Sequence, residues 1–330
     1  MASRYLELAR RIGLGQSERA PKLFKMLADP AEADILLTLP GQAPAVAAKL
    51  GRPEEEVARS LRELFLKGLV FPSSKTSPPS YRLCRDFVQF HDATILWPEA
   101  PREFLDLWQE LMEVEWPEMA RTYNQLLPRP FTRIIPVGVT VPARSQILAY
   151  EDIKEIVSRA WKLAVTNCTC RLTAHKCDKP LQVCLQINNA AAYSLNRGTG
   201  RELTKEETLD LMKKCEEAGL IHVVINKRDV DHFICNCCAC CCQTMPILIE
   251  HGIKVIEPSR FAAEVDPDRC TACETCLTRC FFKAIAIEDE SARVAAEKCL
   301  GCGLCQVTCP SEAITMKEVR SSDFVPEKIF

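Results

Sequence analysis

The amino-acid sequence predicts an α+β protein of several parts, and three observations support this fold class. Residues 1–83 carry helical apolar patterns that end in two short strand-like stretches, the centre alternates helical and strand patterns, and the last quarter is a cysteine-dense repeat. Such alternation is typical of mixed helix and sheet. We therefore predict four regions: 1–83, a helical connector and linker over 84–142, a cysteine-rich α/β domain over 143–261, and a small repeat domain with a tail over 262–330.

Residues 1–83 contain a pattern of helices followed by a hairpin. Pro53 opens a helix that Gly68 closes, with an apolar strip at Val57, Leu61, Leu64 and Phe65. Strands follow at Leu69–Phe71 and Tyr81–Leu83, and helices joined to a hairpin in this way resemble a winged helix-turn-helix domain. The would-be recognition helix begins with the acidic run Glu54–Glu56, whereas DNA affinity rests on phosphate attraction. We therefore expect protein contact here and not nucleic-acid binding.

Local sequence patterns also predict the helices and strands of the connector and the centre. Phe104, Leu107, Trp108, Leu111 and Val114 share one helical face, and the proline-rich stretch Pro128–Pro142 predicts a linker. In the centre, Thr204 and Glu207 form a capping-box pattern that opens a helix. The other expected central helices are Tyr150–Ala160, Asn188–Asn196 and Thr244–His251, and the expected strands are Lys162–Val165, Ile221–Ile225, His232–Ile234 and Ile253–Ile256.

Cysteine usage indicates the compartment. The chain has 20 cysteines in 330 residues, and all but Cys84 lie after residue 160. The N-terminal residues carry charges throughout and no apolar signal-peptide core, and no apolar run reaches bilayer length. Clustered cysteines without a secretory signal favour metal binding over disulfides. We expect a cytoplasmic protein of low-oxygen metabolism, with a net charge of −2 that does not favour nucleic acid or anionic membranes as partners.

The last quarter contains two runs with the same cysteine spacing, 29 residues apart. Each run has gaps of two, two and three residues, and the second ends in Pro310: Cys270, Cys273, Cys276 and Cys280, then Cys299, Cys302, Cys305 and Cys309. Over roughly residues 262–318 this pattern resembles the bacterial two-cluster ferredoxin family. The first run departs from the family pattern, because Phe281 stands where proline is usual.

The resemblance implies two 4Fe–4S clusters whose ligands cross over between the runs. One cluster would take Cys270, Cys273, Cys276 and Cys309, and the other would take Cys299, Cys302, Cys305 and Cys280. Zinc is the alternative ion for paired cysteines, but zinc ribbons use separated pairs and not two runs of four.

The centre holds a second group of ten candidate metal ligands. They are Cys168, Cys170, Cys177 and Cys184, followed by Cys235, Cys237, Cys238, Cys240, Cys241 and Cys242. Ten cysteines suffice for one or two further clusters, and the simplest partition gives the first four to one cluster. Interleaving of the two groups in space remains open, as does zinc or copper binding. His175 is a further candidate ligand, and Arg171 and Lys176 could offset the charge of a cluster.

Several central motifs together carry a broader resemblance. The stretches CTCR, HKCDKPLQVC, EEAGLIH and ICNCCACCC, ahead of the ferredoxin-like tail, resemble a group of 4Fe–4S dicluster-domain proteins of anaerobic bacteria and archaea. That resemblance implies cluster binding and electron transfer, and no defined substrate.

Three functions therefore stay open. The first is electron transfer between the ferredoxin-type clusters, the central clusters and a redox partner protein, since the sequence has no dinucleotide or P-loop motif. The second is an oxidoreductase with a catalytic central cluster and an unknown small-molecule substrate. The third is a redox-sensing regulator that signals to the winged-helix-like region.

Overall fold

The computed structural model describes residues 2–73, 76–137 and 151–328. Tertiary contacts divide the chain into two compact units, Met1–Trp116 with Leu172–Ala174, and Pro117–Arg171 with His175–Phe330. Each unit mixes helices and strands, which agrees with the predicted α+β class. The predicted four-part division stays a prediction, and its boundary at 142/143 lies outside the described residues. Within the described ranges we find no helix that combines the length and hydropathy needed to span a bilayer.

The first unit consists of helices and one small sheet. Its helices are α1 (Ala2–Arg11), α2 (Ala20–Leu27), α3 (Pro30–Thr38), α4 (Ala43–Leu50), α5 (Glu54–Leu66), α6 (Phe87–Thr94) and α7 (Arg102–Val114). Its strands are β1 (Gly41–Gln42), β2 (Val70–Ser73) and β3 (Ser80–Leu83), which form an antiparallel sheet in the order β1-β3-β2. The expected helix after Pro53 and the expected hairpin are therefore both present as elements.

Aromatic side chains fill the core of the first unit. Phe24 stacks on Phe90 with ring centroids 4.4 Å apart, and Nε1 of Trp108 donates to Oγ1 of Thr94 over 3.2 Å. The predicted buried face of α7 is only partly correct. Val114, at the last position of that helix, is 59% exposed, whereas Leu105 and Met112 join the buried side chains.

The second unit contains a seven-stranded sheet. Its helices are α8 (Trp116–Leu126), α9 (Ile153–Arg159), α10 (Thr169–Ala174), α11 (Asn189–Asn196), α12 (Lys205–Glu217) and α13 (Met245–His251), of which α8 and α10 straddle the unit boundaries. The strands are β4 (Thr132–Ile134), β5 (Leu163–Asn167), β6 (Gln182–Ile187), β7 (Gly200–Glu202), β8 (Ile221–Ile225), β9 (Phe233–Cys237) and β10 (Ile256–Glu257). Their order is β10-β4-β8-β9-β6-β5-β7, and every pair except β10 and β4 is antiparallel.

The central helices match the sequence prediction better than the strands do. The predicted capping box opens α12: Thr204 Oγ1 accepts from the backbone N–H of Glu207 over 3.1 Å, and Glu207 Oε2 accepts from the backbone N–H of Thr204 over 2.8 Å. Helix α9 begins at Ile153, and the expected start at Tyr150 lies outside the described residues. Strands β6 and β7 and helix α10 were not predicted.

The C-terminal region of the second unit contains two short sheets. Its elements are β11 (Phe261–Val265), α14 (Thr275–Arg279), β12 (Ile285–Glu288), β13 (Ser291–Val294), α15 (Leu304–Val307) and β14 (Ile314–Glu318). Strand β11 pairs with β14 and β12 pairs with β13, both antiparallel.

A buried ion pair lies at the start of this region. Arg260 is 1% exposed; its Nε bonds Glu151 Oε2 and its Nη1 bonds Glu318 Oε1, each over 2.8 Å. Burial raises the pKa of Glu151, and Arg260 opposes that rise. Arg260 therefore offsets part of the cost of burying the Glu151 carboxylate.

We expect Arg260→Met to be strongly destabilising, because it leaves Glu151 buried without its partner. Losing one member of a buried pair costs about 3–5 kcal/mol, which corresponds to a drop in Tm of roughly 6–20 °C in a unit of this size. Scanning calorimetry under anaerobic conditions measures the shift in Tm. The difference in Tm between the variant and the parent chain should become smaller as the pH falls, because Glu151 becomes protonated. Arg201→Met is the control, because Arg201 and its partner Glu207 are 58% and 49% exposed. Equal shifts for the two variants would contradict the prediction.

Candidate metal centres

The C-terminal region repeats its backbone as well as its cysteine spacing. Ala272 and Glu274 in the first run have φ of 49° and 62°, and Gly301 and Gly303, at the matching places 29 residues later, have φ of 68° and 81°. Left-handed residues between closely spaced cysteines curl the chain into a tight loop. Both runs therefore form the same loop, which turns successive thiols toward a common space.

The two loops and the strands beside them enclose two thiol-lined cavities. The first has about 310 Å³ of free space, including the part open to solvent, and we call its cysteines the outer cysteines: Cys270, Cys273, Cys276 and Cys309. The second has about 340 Å³, and its cysteines are the inner cysteines: Cys280, Cys299, Cys302 and Cys305. The fourth cysteine of each run thus lines the cavity of the other run.

Backbone amides donate to four of these sulfurs in a repeated pattern. Each run's first cysteine receives an N–H from the strand of the other repeat, and each run's last cysteine receives one from four residues downstream. The donor and acceptor pairs are Ala292 to Cys270, Ala284 to Cys280 and Ala313 to Cys309, each 3.3 Å, and Ala263 to Cys299, 3.5 Å. The bonds from Ala292 and Ala272 lower the pKa of Cys270. Donors aimed at sulfur favour thiolate, the form that binds iron.

The two cavities differ in burial. Cys273 is exposed, and the side chain and backbone of Thr275 lower its pKa. Burial raises the pKa of Cys302 to about 12 and also raises the pKa of Cys305. Thiols that resist ionisation in an apolar site become thiolates when a cation binds them. The residues around both cavities therefore fit a cationic cluster, and the inner cavity is the better shielded of the two.

The structure groups the central cysteines differently from the simplest partition, which gave the first four in sequence to one cluster. Cys177, from the loop after α10, meets Cys238, Cys240 and Cys241 from the turn after β9, and the four sulfurs all lie within 4.8 Å of one another. We call these four the compact set. Their closest separations are 3.6 Å between Cys177 and Cys241, 3.8 Å between Cys240 and Cys241, and 4.0 Å between Cys177 and Cys238.

A second group of central thiols forms around Cys242. The thiols of Cys170 and Cys237 hydrogen-bond to Cys242 and hold its pKa below its ordinary value. Cys170 also contacts Cys168, and Cys237 also contacts Cys235, and these contacts raise the pKa of Cys170 and of Cys237. These five cysteines are the central set. Cys184 stands in β6 opposite Thr166 of β5, and its sulfur accepts from Nε2 of Gln186 over 3.2 Å.

Basic groups accompany the central thiols. Arg171 is 3% exposed and donates to the backbone carbonyls of Asn236, over 2.6 Å, and of Pro180. Burial alone would lower the pKa of Arg171, but Cys168, Cys238 and Cys237 raise it on balance. His175 is exposed and is not part of the compact set.

Sequence reasoning missed a buried polar network beside the central set. His222 contacts Asn236 Oδ1 over 2.6 Å and Glu216 Oε1 over 3.2 Å, and all three residues are buried. Nδ2 of Asn236 donates to the carbonyl of Val183 over 2.6 Å. Glu216 and His222 belong to the motif EEAGLIH, and Asn236 separates Cys235 from Cys237. Both motifs were part of the sequence prediction, but none of these three network residues was singled out.

The inner cavity and the central set share one apolar core. Val137, Leu304, Cys237 and Cys242 are buried in it, and Cys235, Phe281 and Cys302 pack against it. The backbone N–H of Val137 also donates to the carbonyl of Cys302 over 3.0 Å. The segment that follows β4 is thus hydrogen-bonded directly to the loop of an inner cysteine.

Comparison with protein families identifies the C-terminal region. Residues 263–316 match the family model described as a 4Fe-4S dicluster domain. No curated protein and no solved structure matches the chain. The chain therefore carries a 4Fe–4S dicluster domain, and this match together with its 20 cysteines supports iron–sulfur clusters as its cofactors.

Proposed function

We propose that the chain is an electron-transfer protein with one 4Fe–4S cluster on the outer cysteines and one on the inner cysteines. When bound, such clusters supply one-electron redox chemistry at potentials set by charge, hydrogen bonds to sulfur and exposure. The observation that carries this proposal is the crossed arrangement, in which Cys309 lines the cavity of the first run and Cys280 that of the second. Four thiols per cavity are the ligand set that a 4Fe–4S cluster requires.

The difference in exposure between the outer and the inner cysteines supports a route for the proposed electron transfer. Cys273 is exposed beside the outer cavity, so a partner protein could approach there. The inner cavity shares its apolar core with Cys237 and Cys242, so apolar side chains pack between the tail and the centre. We propose that the outer cysteines face a redox partner protein and that the inner cysteines face the metal bound by the central domain.

We propose that the ten central cysteines, all predicted as metal ligands, supply two groups of four ligands with two thiols left over. The central set together with Cys184 supplies six thiols for an additional cluster, and the polar hydrogen bonds around Asn236 and Arg171 would orient its ligands. Six exceeds the four that one cluster requires, so two of these six thiols would serve as neighbours of the cluster.

Air-free purification tests the electron-transfer proposal. We expect a brown protein with at least about eight irons and a matching amount of sulfide per chain, because two four-iron clusters are assigned to the tail. It should accept electrons from a chemical reductant and return them to an artificial acceptor, with no added small molecule needed. A colourless protein, or one with iron that cannot be reduced, would contradict the proposal.

A second candidate function is an oxidoreductase with a catalytic central cluster, and the buried network of Glu216, His222 and Asn236 favours it. These side chains form a hydrogen-bonded line beside Cys235 and Cys237, as an active centre that moves protons would require. An electron paramagnetic resonance signal that changes when a small molecule is added without any partner protein would favour this candidate over the carrier.

We further propose that α3, α4, α5 and the β2–β3 hairpin form a winged-helix-like module that contacts protein. Helix α5 begins with Glu54, Glu55 and Glu56, all exposed, which disfavours DNA phosphates. A redox-sensing regulator would instead bind one DNA sequence tightly and with strong salt dependence. Gel-shift titration of the full chain tests that alternative.

A further inference from the structure

The compact set has a geometry that distinguishes it from the two cavities of the tail. Its four sulfurs, from Cys177, Cys238, Cys240 and Cys241, all lie within 4.8 Å of one another, with measured separations of 3.6, 3.8 and 4.0 Å. Among the residues that the structure describes, the outer and inner cysteines form no such set, and surround cavities of about 310 and 340 Å³ instead. The four thiols of the compact set therefore converge on a much smaller space.

That spacing matches one metal ion. In a tetrahedral zinc site each sulfur lies about 2.3 Å from the metal, so any two sulfurs are about 3.8 Å apart. A 4Fe–4S cluster binds each thiolate to a different iron at its corners, which requires wider separations between the sulfurs. The distances in the compact set agree with the first case and are too short for the second.

We propose that Cys177, Cys238, Cys240 and Cys241 bind a single zinc ion in a closed tetrahedral site. Four protein thiolates leave no open position, which is the arrangement of a structural zinc and not of a catalytic one. The assignment goes beyond electron transfer, since zinc has no redox chemistry of its own.

Hydrogen-bond donors surround this site in the way that a thiolate-bound ion requires. The backbone at Lys179 donates to Cys177, the backbone at Lys176 to Cys241, and the Arg171 side chain to Cys238. A zinc ion with four thiolates carries a charge of about −2, which these donors and the Arg171 cation stabilise.

The proposed ion would fasten two segments that are distant in sequence. Cys177 is 61 residues from Cys238 and 64 from Cys241. The loop that holds Cys177 follows Cys168 and Cys170, and the turn that holds Cys238, Cys240 and Cys241 runs into Cys242. The zinc would therefore hold together the two segments that build the central set.

Metal analysis of the full chain tests the proposal. Protein is purified without air from cells grown with both iron and zinc, and elemental analysis should find one zinc per chain. The double variant Cys177→Ala/Cys241→Ala should lose that zinc and keep the roughly eight irons assigned to the tail. The control Cys84→Ala, which changes a buried thiol of the first unit, should keep both metals.

Several results would overturn the assignment. If the parent chain holds no zinc and the double variant loses about four irons, the compact set binds a 4Fe–4S cluster. If the double variant loses one iron instead, the compact set binds a mononuclear iron. If the variant does not fold, zinc X-ray absorption of the parent chain decides the question. Four sulfur neighbours at about 2.3 Å are expected, and a nitrogen or oxygen neighbour would contradict the proposal. Iron counts on the same sample report separately on the electron-transfer proposal.

Discussion

Replacing Cys305 with alanine should remove about four irons from the chain and interrupt the proposed route of electrons between the tail and the centre. Cys305 is an inner cysteine, 8% exposed, and no other thiol lines that cavity besides the three it joins, within the described part of the chain. A cluster that loses one of four thiolate ligands in an apolar site has no ready substitute. Iron analysis measures the loss, and stopped-flow reduction by a large donor protein should show slowed reduction of the remaining metal.

Cys276→Ala is the matched variant, because Cys276 stands 29 residues earlier at the same place in the repeat and is 7% exposed. We expect it to remove about four irons from the outer cysteines and to leave the spectroscopic signal of the centre unchanged. The cluster proposed on its inner cysteines should still be reduced by a small chemical reductant. Loss of all iron in either variant would contradict the prediction, since it would mean that the tail and the centre cannot hold metal independently.

Gly301→Ala should disable the inner site without touching any ligand. Gly301 lies between Leu300 and Cys302 with φ of 68°, and a Cβ built there would overlap the carbonyl oxygen of Phe261 and Oγ of Ser259. The Phe261 carbonyl belongs to β11, and Ser259 Oγ donates to the Gly301 carbonyl over 2.7 Å. Because the strand and the loop are both held by hydrogen bonds, neither can shift to make room for the added methyl group. We expect loss of about four irons, or a cluster that bleaches far faster in air than that of the parent chain.

Gly198→Ala separates the steric effect from the backbone effect. Gly198 has φ of 70°, close to that of Gly301, but a Cβ there meets nothing within 4 Å. Its cost should be limited to the left-handed backbone, about 1 kcal/mol, with no change in iron content. Equal iron loss in the two glycine variants would contradict the argument from close packing.

Local signals in the sequence predicted the helices well and the strands less well. The capping box at Thr204 was predicted because its hydrogen bonds are made within one turn of chain. Strand β6 alternates Gln182, Cys184 and Gln186 with apolar residues, which is a strand pattern that the sequence analysis did not use. Strand β7 has three residues and depends on pairing with β5, which no local pattern records.

The grouping of the tail cysteines was predicted from the resemblance to two-cluster ferredoxins, and each predicted group of four lines one cavity. The centre could not be partitioned in this way. Cys177 lies near Cys184 in sequence, yet it meets Cys238, Cys240 and Cys241, because the loop after α10 folds onto the turn after β9. Cys237 and Cys238 are neighbours in sequence, yet they belong to different sets because the strand ends between them. Only tertiary structure decides such a partition.

The exchange of strands between the two repeats has a consequence for how such a domain could arise. Strand β11 of the first repeat pairs with β14 of the second, and β12 pairs with β13, so both sheets join one repeat to the other. A peptide with a single repeat would therefore have unpaired edges and an incomplete ligand set. Two copies of it, assembled as a homodimer, would complete both, and gene duplication followed by fusion would then yield the present arrangement in one chain.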